Sequence, residues 1–333
     1  MTARRIWPQL AAIVTLAVAT LAGATAFALP TEPPCSVQEK TTADRWLRLN
    51  SRDQSLAVTE HVPWGLPVAT LTGERLLVQR DYVAGYDDDL KVPIWSAEHV
   101  VAKLIDKRGR SDCFRTDVRL PTAAASTTTD YDERIFDQGH LTPSGDMTKS
   151  RMTVHNSFVM SNMTPQFCQF NRGVWQIFEG LSRLWATEHR EIYVISGSVF
   201  DRDGDGARDP DSAALHMTSF NSQARVGVPS AFYKIIAYRK PDGGLATLTV
   251  LLPHDQTDLD GDAAIQYLSD HVVTIATVEA KTGQDMFPSG APAIDEATTL
   301  WAFTGKRPSS LAHSPQCQGT AGAVVRGGTY ALP

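Results

Sequence analysis

Apolar residues come along this chain in short runs broken by turns, and the spacing within each run predicts an element. Ile192-Tyr193-Val194-Ile195-Ser196-Gly197 is a continuous run with a glycine stop, the pattern of a buried strand. Ala231 to Tyr238 and Ala246 to Leu252 are two more strands. The turn Pro241-Asp242-Gly243-Gly244 separates them, so the pair predicts a hairpin. Upstream, Leu76-Leu77-Val78 with Asp81-Tyr82-Val83 predicts a strand region, and Pro93-Ile94-Trp95 with His99-Val100-Val101 predicts another. Over 171–189 the period changes. Val174, Ile177, Phe178, Leu181 and Leu184 recur at helical spacing and form one apolar face. A last helix is expected over 275–283, ended by Gly283. Pro121 to Tyr131 is small and polar and reads as a surface loop. Strands in antiparallel-compatible pairs, occasional helices, no regular βα alternation and no GxGxxG predict an α+β fold rather than a doubly wound sheet.

Composition narrows the class. The 333 residues are 42% hydrophobic and 20% charged, which excludes wholesale disorder and a fibrous repeat. A net charge of −6 argues against a polycationic protein that coats nucleic acid, yet leaves room for a local basic groove. The amino terminus reads as a signal peptide over 1–28. Arg4 and Arg5 precede an uncharged run from Leu10 to Ala28, and Ala24-Thr25-Ala26 and Ala26-Phe27-Ala28 both fit a cleavage site. An uncleaved anchor is the competing reading, because the run is just long enough to span a bilayer. Cleavage predicts a secreted or periplasmic protein with no stable membrane association and two fewer positive charges. The rest divides into a leader over 29–60, one domain over 61–310 and a tail over 311–333. Cys35, Cys113, Cys168 and Cys317 are an even set, which predicts two disulfides among three pairings. The favoured pairing joins the ends through Cys35–Cys317, with Cys113–Cys168 as the second bridge.

Chemistry concentrates in Phe136-Asp137-Gln138-Gly139-His140-Leu141-Thr142-Pro143, Ser161-Asn162-Met163-Thr164-Pro165-Gln166 and Asn171-Arg172-Gly173-Val174-Trp175, followed by Glu179 and Arg183. Singly these are weak. A lone His beside a Gly is more often structural, and a Glu four residues from an Arg is usually a solvated pair worth about 0.3–0.5 kcal/mol. Together they mean more. Asn171, Trp175, Glu179 and Arg183 lie at successive i+4 steps, so on a regular helix they form a shallow spiral on one side. An amide oxygen, a carboxylate and a guanidinium would then point into one space. A hard divalent cation needs oxygen ligands, and a phosphodiester matches a planar cation. A neutral His nearby could take a proton from water.

These motifs resemble the DNA/RNA non-specific endonucleases with a ββα-metal (His-Me finger) site, a group that includes the Serratia-type secreted nucleases and mitochondrial endonuclease G. The similarity extends to YVISGSVFD, VPSAFYKIIAY and DHVVTIATVEAKTGQDMFP and covers residues 61–290. It implies a central, mostly antiparallel sheet flanked by helices. It also implies a secreted, Mg²⁺-dependent (or Mn²⁺-dependent) enzyme that hydrolyses DNA and RNA to 5′-phosphate ends, binds through the phosphate backbone, and forms a homodimer. By resemblance His140 is the general base and Asn171 the direct Mg²⁺ ligand. Glu179 holds metal-bound water, Arg183 contacts the scissile phosphate, Asn162 is a supporting amide, and Asp137 opens the His motif. An upstream phosphate-binding arginine is implied, with Arg110 and Arg115 both candidates. The chain departs from the family at Gln138, where Asp-Arg-Gly-His carries arginine. Losing one charge-assisted contact there would cost about 1.5–3 kcal/mol. Arg134 or Arg172 could supply the charge.

Asp201, Asp203, Asp205 and Asp209 with Gly206 match most of an EF-hand calcium loop, although Ser212 stands at the twelfth position instead of Glu. Structural Ca²⁺ and a plain acidic turn are both open there. Asp258-Leu259-Asp260-Gly261-Asp262 reads as an ordinary loop. Two alternatives to the nuclease stand: a calcium- or nucleic-acid-binding protein on a nuclease scaffold weakened by Gln138, and a phosphodiesterase of small nucleotides. The remaining histidines have no second motif around them and read as surface or structural, and the tryptophans read as core.

Overall fold

The computed structural model describes residues 34–69, 73–105, 109–131, 133, 135–217, 226–288, 290–303 and 317. The segment 1–28 read as a signal peptide, Arg134 and most of the tail lie outside the described residues. Two helices come first, α1 (Val37–Leu47) and α2 (Ser51–His61). Three strands follow: β1 (Glu74–Val78), β2 (Val83–Asp87) and β3 (Val92–Val101). A separate ribbon pairs β4 (Phe136–His140) with β5 (Met163–Phe167), and the short helix α3 (Arg151–Ser157) lies between them in sequence. The long helix α4 (Gln176–His189) leads into β6 (Glu191–Val199). Then come β7 (Ala231–Arg239), β8 (Leu245–Pro253), α5 (Gly261–Asp270), β9 (Val272–Val273), α6 (Ile275–Thr282) and β10 (Ile294–Asp295).

The main sheet has eight strands in the order β9-β8-β7-β6-β3-β2-β1, with β10 added beside β8. All pairings are antiparallel except β10 with β8. This is the expected α+β class. The hairpin and the final helix fall where the pattern put them. The two upstream strand pieces of 93–101 are one ten-residue strand, buried along most of its length. Gly197 does not stop β6. It is paired with Tyr233, and a Cβ there would lie 2.2 Å from the tyrosine ring, so the missing side chain makes room for an aromatic in mid-sheet.

Three other differences have local causes. The stretch read as a leader folds into α1 and α2. Few apolar residues advertise them, since only Ala43 and Leu47 are buried in α1. What holds α1 is a Ser36–Glu39 capping box and long-range ties: Asp44 to Arg115 at 2.7 Å and Glu39 to Arg151 at 2.8 Å. The 121–131 segment is not a surface loop throughout. Ala124, Ala125, Ser126 and Asp130 are buried, and Tyr86 donates its hydroxyl to the Ala124 carbonyl at 2.9 Å. Asp260-Gly261-Asp262 opens α5 instead of continuing a loop.

The disulfides correct the expected pairing. Cys35 bonds Cys113, and Cys168 bonds Cys317. Cys35 is placed by its N–H to the Asp112 carbonyl at 3.2 Å, which sets it beside Cys113 rather than beside the carboxyl end. Trp64, Trp95, Trp175, Trp185 and Trp301 are buried, as expected of core residues, whereas Trp46 is exposed. Among the described residues no helix is long and apolar enough to cross a membrane.

Candidate active site

The ribbon β4–β5 and helix α4 form one ββα unit, and the singled-out residues cluster on it. Register pairs Asp137 with Gln166, Gln138 with Pro165, Gly139 with Thr164 and His140 with Met163. Gly139 is obligatory at its place. A Cβ there would fall 2.2 Å from the side chain of Gln166, which is itself fully buried. Between β5 and α4 the chain makes a helical turn (Cys168–Phe170) and then a π turn over Asn171–Trp175. The expected regular spiral from Asn171 to Arg183 is therefore interrupted at its start, because i→i+5 bonding changes the angular step. Trp175 turns fully inward, while Asn171, Glu179 and Arg183 stay partly exposed.

His140 is 7% exposed, and its ring is packed edge-on by Phe158 at 4.6 Å and Phe114 at 6.1 Å between centroids. Its carbonyl accepts the Trp175 indole N–H at 3.3 Å. Burial, then the nearby Arg110 guanidinium, holds the imidazole pKa well below its usual value. The ring is thus neutral near pH 7 and able to accept a proton. Asn162 fixes the backbone that follows. Its amide oxygen accepts the Thr142 N–H at 3.0 Å, and its amide nitrogen donates to the carbonyls of Thr142 and Ser157. It is a staple for the His140 loop.

Asp137 does two jobs. One carboxylate oxygen accepts from Asn171 Nδ2 at 2.8 Å and from Arg172 Nε at 2.7 Å, and the other accepts Arg172 Nη2 at 2.8 Å. Tying down the amide nitrogen leaves the Asn171 Oδ1 as the end available to a cation. Arg172 is engaged bidentately by Asp137, so it holds the turn while its side chain stays about one-third exposed. Arg183 donates Nη1 to Asp146 at 2.7 Å. Glu179 is pushed up to about 7, chiefly by burial, with Lys234 and Arg183 pulling it down.

The two upstream arginines separate. Arg115 is 7% exposed and spent inside the fold on Asp44, the carbonyls of Cys113 and His155, and the Asn156 amide oxygen. Arg110 stacks over Phe158 at 4.9 Å, and its charge acts on both His140 and Glu179. Its side chain is half-exposed. The structure thus buries Arg115 in the fold and sets Arg110 beside His140. The pleat sets Gln138 on the same face of β4 as His140.

Residues that the sequence did not single out complete the site. Asp146 anchors Arg183, Phe114 and Phe158 grip His140, and Glu98 and Lys234 lie beneath Glu179. A faint signal existed for the last two: each is a charge inside an otherwise apolar stretch of strand. Away from the site, Asp201, Asp203 and Asp205 bring carboxylate oxygens within 4.8 Å of one another. Asp209 is not in that group, because it accepts the Arg202 N–H at 2.7 Å. Asp201 also pairs with Lys281 at 2.5 Å.

Comparison with known proteins agrees with this geometry. The family described as DNA/RNA non-specific endonuclease matches residues 67–293. Nuclease C1 of Cunninghamella echinulata var. echinulata is 29% identical over 224 residues, which span 65% of this chain and 84% of that protein. A venom phosphodiesterase of Naja atra is 27% identical over 282 residues, 77% of this chain. The match spans only 33% of the venom enzyme's length. A chain in the crystal structure of the EndoG/EndoGI complex superimposes with a TM-score of 0.60 at 25% identity, covering 72% of this chain and 96% of that one.

Proposed function

The chain belongs to the DNA/RNA non-specific endonuclease family, and on that premise we propose that it is an exported, Mg²⁺-dependent endonuclease that hydrolyses phosphodiester bonds of both DNA and RNA. The observation that carries the reading is a neutral, aromatic-clamped His140 on the same ββα unit as Asn171, Glu179 and Arg183. The donor set fits a hard divalent ion. Asp137 presents the Asn171 amide by its oxygen, and a partly exposed carboxylate stands one helix segment further on. Mg²⁺ keeps most of its waters and needs few protein ligands. Asn171 would bind it directly, and Glu179 would hold one of its waters. Once bound, the ion offsets charge developing on the phosphate and the leaving oxygen.

The remaining work falls to side chains. The imidazole of His140 takes a proton from an attacking water. A bond forms from that water oxygen to phosphorus, the bond to the 3′ oxygen breaks, and that oxygen takes a proton from solvent to leave a 3′-hydroxyl and a 5′-phosphate. Arg183, fixed by Asp146, and Arg110 are placed to engage phosphoryl oxygens. These partly exposed guanidiniums and Arg172, each oriented by an aspartate, are the donors for phosphate oxygens, which suits backbone binding without base readout. Two disulfides support export, since such bonds persist in oxidising compartments. The three converging carboxylates of Asp201, Asp203 and Asp205 are proposed as a structural Ca²⁺ loop, and a homodimer is the proposed assembly.

The test is incubation of the purified protein with plasmid and with RNA, in Mg²⁺ or chelator. Cleavage of both that chelator stops, and that His140→Ala and Asn171→Ala abolish, is the expected outcome. No cleavage with any divalent ion tried would reject the proposal in favour of a nuclease scaffold weakened at Gln138.

A further inference from the structure

Strand β7 is apolar inside the sheet except for Lys234, which is 1% exposed. A lysine is fully buried only where other groups compensate its charge. Its Nζ donates to Ser196 Oγ at 2.7 Å, directly across the strand pair, and sits 4.3 Å from the centre of the Trp175 ring. The charged groups facing it come from three elements: Glu179 and Arg183 from α4, Glu98 from β3, and Asp146 from the loop after His140. Three acids thus meet two cations, one of them fully buried. Asp146 is already paired with Arg183. Glu98 is sealed in, with Oε2 lacking a hydrogen-bond partner among the described residues. Burial and the Asp146 carboxylate push its pKa well up, which disfavours a charge there. That leaves Glu179, one helical turn beyond the Trp175 ring that faces the ammonium, as the acid to partner Lys234. The two are also each other's strongest charge partner.

We propose that Lys234 is a positioning residue of the active site: clamped between Ser196 and Trp175, its ammonium is the fixed counter-charge that holds the Glu179 carboxylate in place at the mouth of the ββα unit. It touches no substrate and acts through Glu179, so this proposal rests on the role given to Glu179 above. Ser196, on the neighbouring strand, anchors the ammonium to the sheet beneath the helix that carries Glu179. The indole that stabilises the cation also donates to the His140 carbonyl, which joins the two halves of the site through one ring.

A double-mutant cycle separates this role from generic packing. Lys234→Met and Glu179→Gln are made singly and together in the full chain. Single-turnover cleavage is read with Mg²⁺, and thermal unfolding is read in chelator. Lys234→Met should slow cleavage about 30-fold or more with KM little changed. In the Glu179→Gln background the further loss should stay below about 3-fold. Lys234→Met alone should lower the unfolding midpoint by about 10 °C, and by less than half of that beside Glu179→Gln, because no carboxylate is then left unpaired. A Lys234→Met chain that folds only in the double variant reports the same coupling. Equal losses in both backgrounds, failure to fold in both, or wild-type cleavage by Lys234→Met would overturn the proposal. The unfolding cycle uses neither metal nor substrate. A wild-type chain that cuts nothing would therefore refute the nuclease reading while leaving this coupling measurable.

Discussion

His254 ties acid sensitivity to the ribbon that carries His140. Its ring is fully buried, Nε2 accepts the Phe167 N–H at 2.8 Å, and Nδ1 donates to the Pro229 carbonyl at 2.8 Å. Only the neutral Nδ1–H tautomer satisfies both contacts. Burial, partly offset by the Pro229 carbonyl and Asp255, lowers the pKa from 6.5 to about 4. The unfolded ring therefore takes a proton near pH 6.5, and the folded ring does so only near 4. Between those values the unfolded state binds more protons, so stability falls as pH drops through that window, and no further loss comes below it. A depression of that size is worth roughly 3 kcal/mol. The bond that a proton breaks is at Phe167, the last residue of β5, whose ring packs on Phe136 at the start of β4 at 4.8 Å. Acid should therefore loosen the ribbon as it destabilises the fold. The assay is urea unfolding from pH 7.5 to 4 in chelator, with wild type beside His254→Leu. The variant should be less stable at pH 7.5 and should lose roughly 3 kcal/mol less than wild type on acidification. Identical pH slopes for the two proteins would refute the reasoning.

Four further outcomes are expected. Arg110→Ala should cut cleavage about 10- to 100-fold while changing stability by less than about 0.5 kcal/mol, since its ion pair with Asp112 lies at the surface. Arg115→Ala should do the reverse, costing about 3–5 kcal/mol in urea unfolding by leaving Asp44 and two carbonyls without a donor, with near-normal kcat in the folded fraction. Gly139→Ala should force Gln166 from its buried site, costing about 1–3 kcal/mol and most of the activity; a variant that unfolds and cuts like wild type would contradict the clash. Gln138→Arg should raise cleavage about 10-fold or more, because it adds a cation on the face of β4 that carries His140 while Arg172 is held by Asp137. Unchanged or lower cleavage would end the idea of a deficit there.

Local signals were enough for part of this protein. The hairpin of β7 and β8 and the α+β class follow from residue period alone. The clustering of His140, Asn162, Asn171, Glu179 and Arg183 around one ββα unit was legible because their motif lies within 50 residues, where spacing along the chain still constrains spacing in space. The helices α1 and α2 were not legible: capping and ties to Arg115 and Arg151 hold α1 instead of an apolar stripe, and α2 buries only Ala57 and His61. Arg110 and Arg115 are five residues apart and alike in type. Only the packing of Phe158 and Asp44 around them decides that one faces the site and the other braces the core. Disulfide pairing went the same way. Any of three pairings suits four cysteines, and the choice belongs to the contacts that bring Cys35 to Cys113. Lys234, Glu98 and Asp146 show the limit most clearly. A charge in an apolar strand marks a buried ion but names no partner, since the partner comes from another strand, a helix and a loop that only the folded sheet brings together.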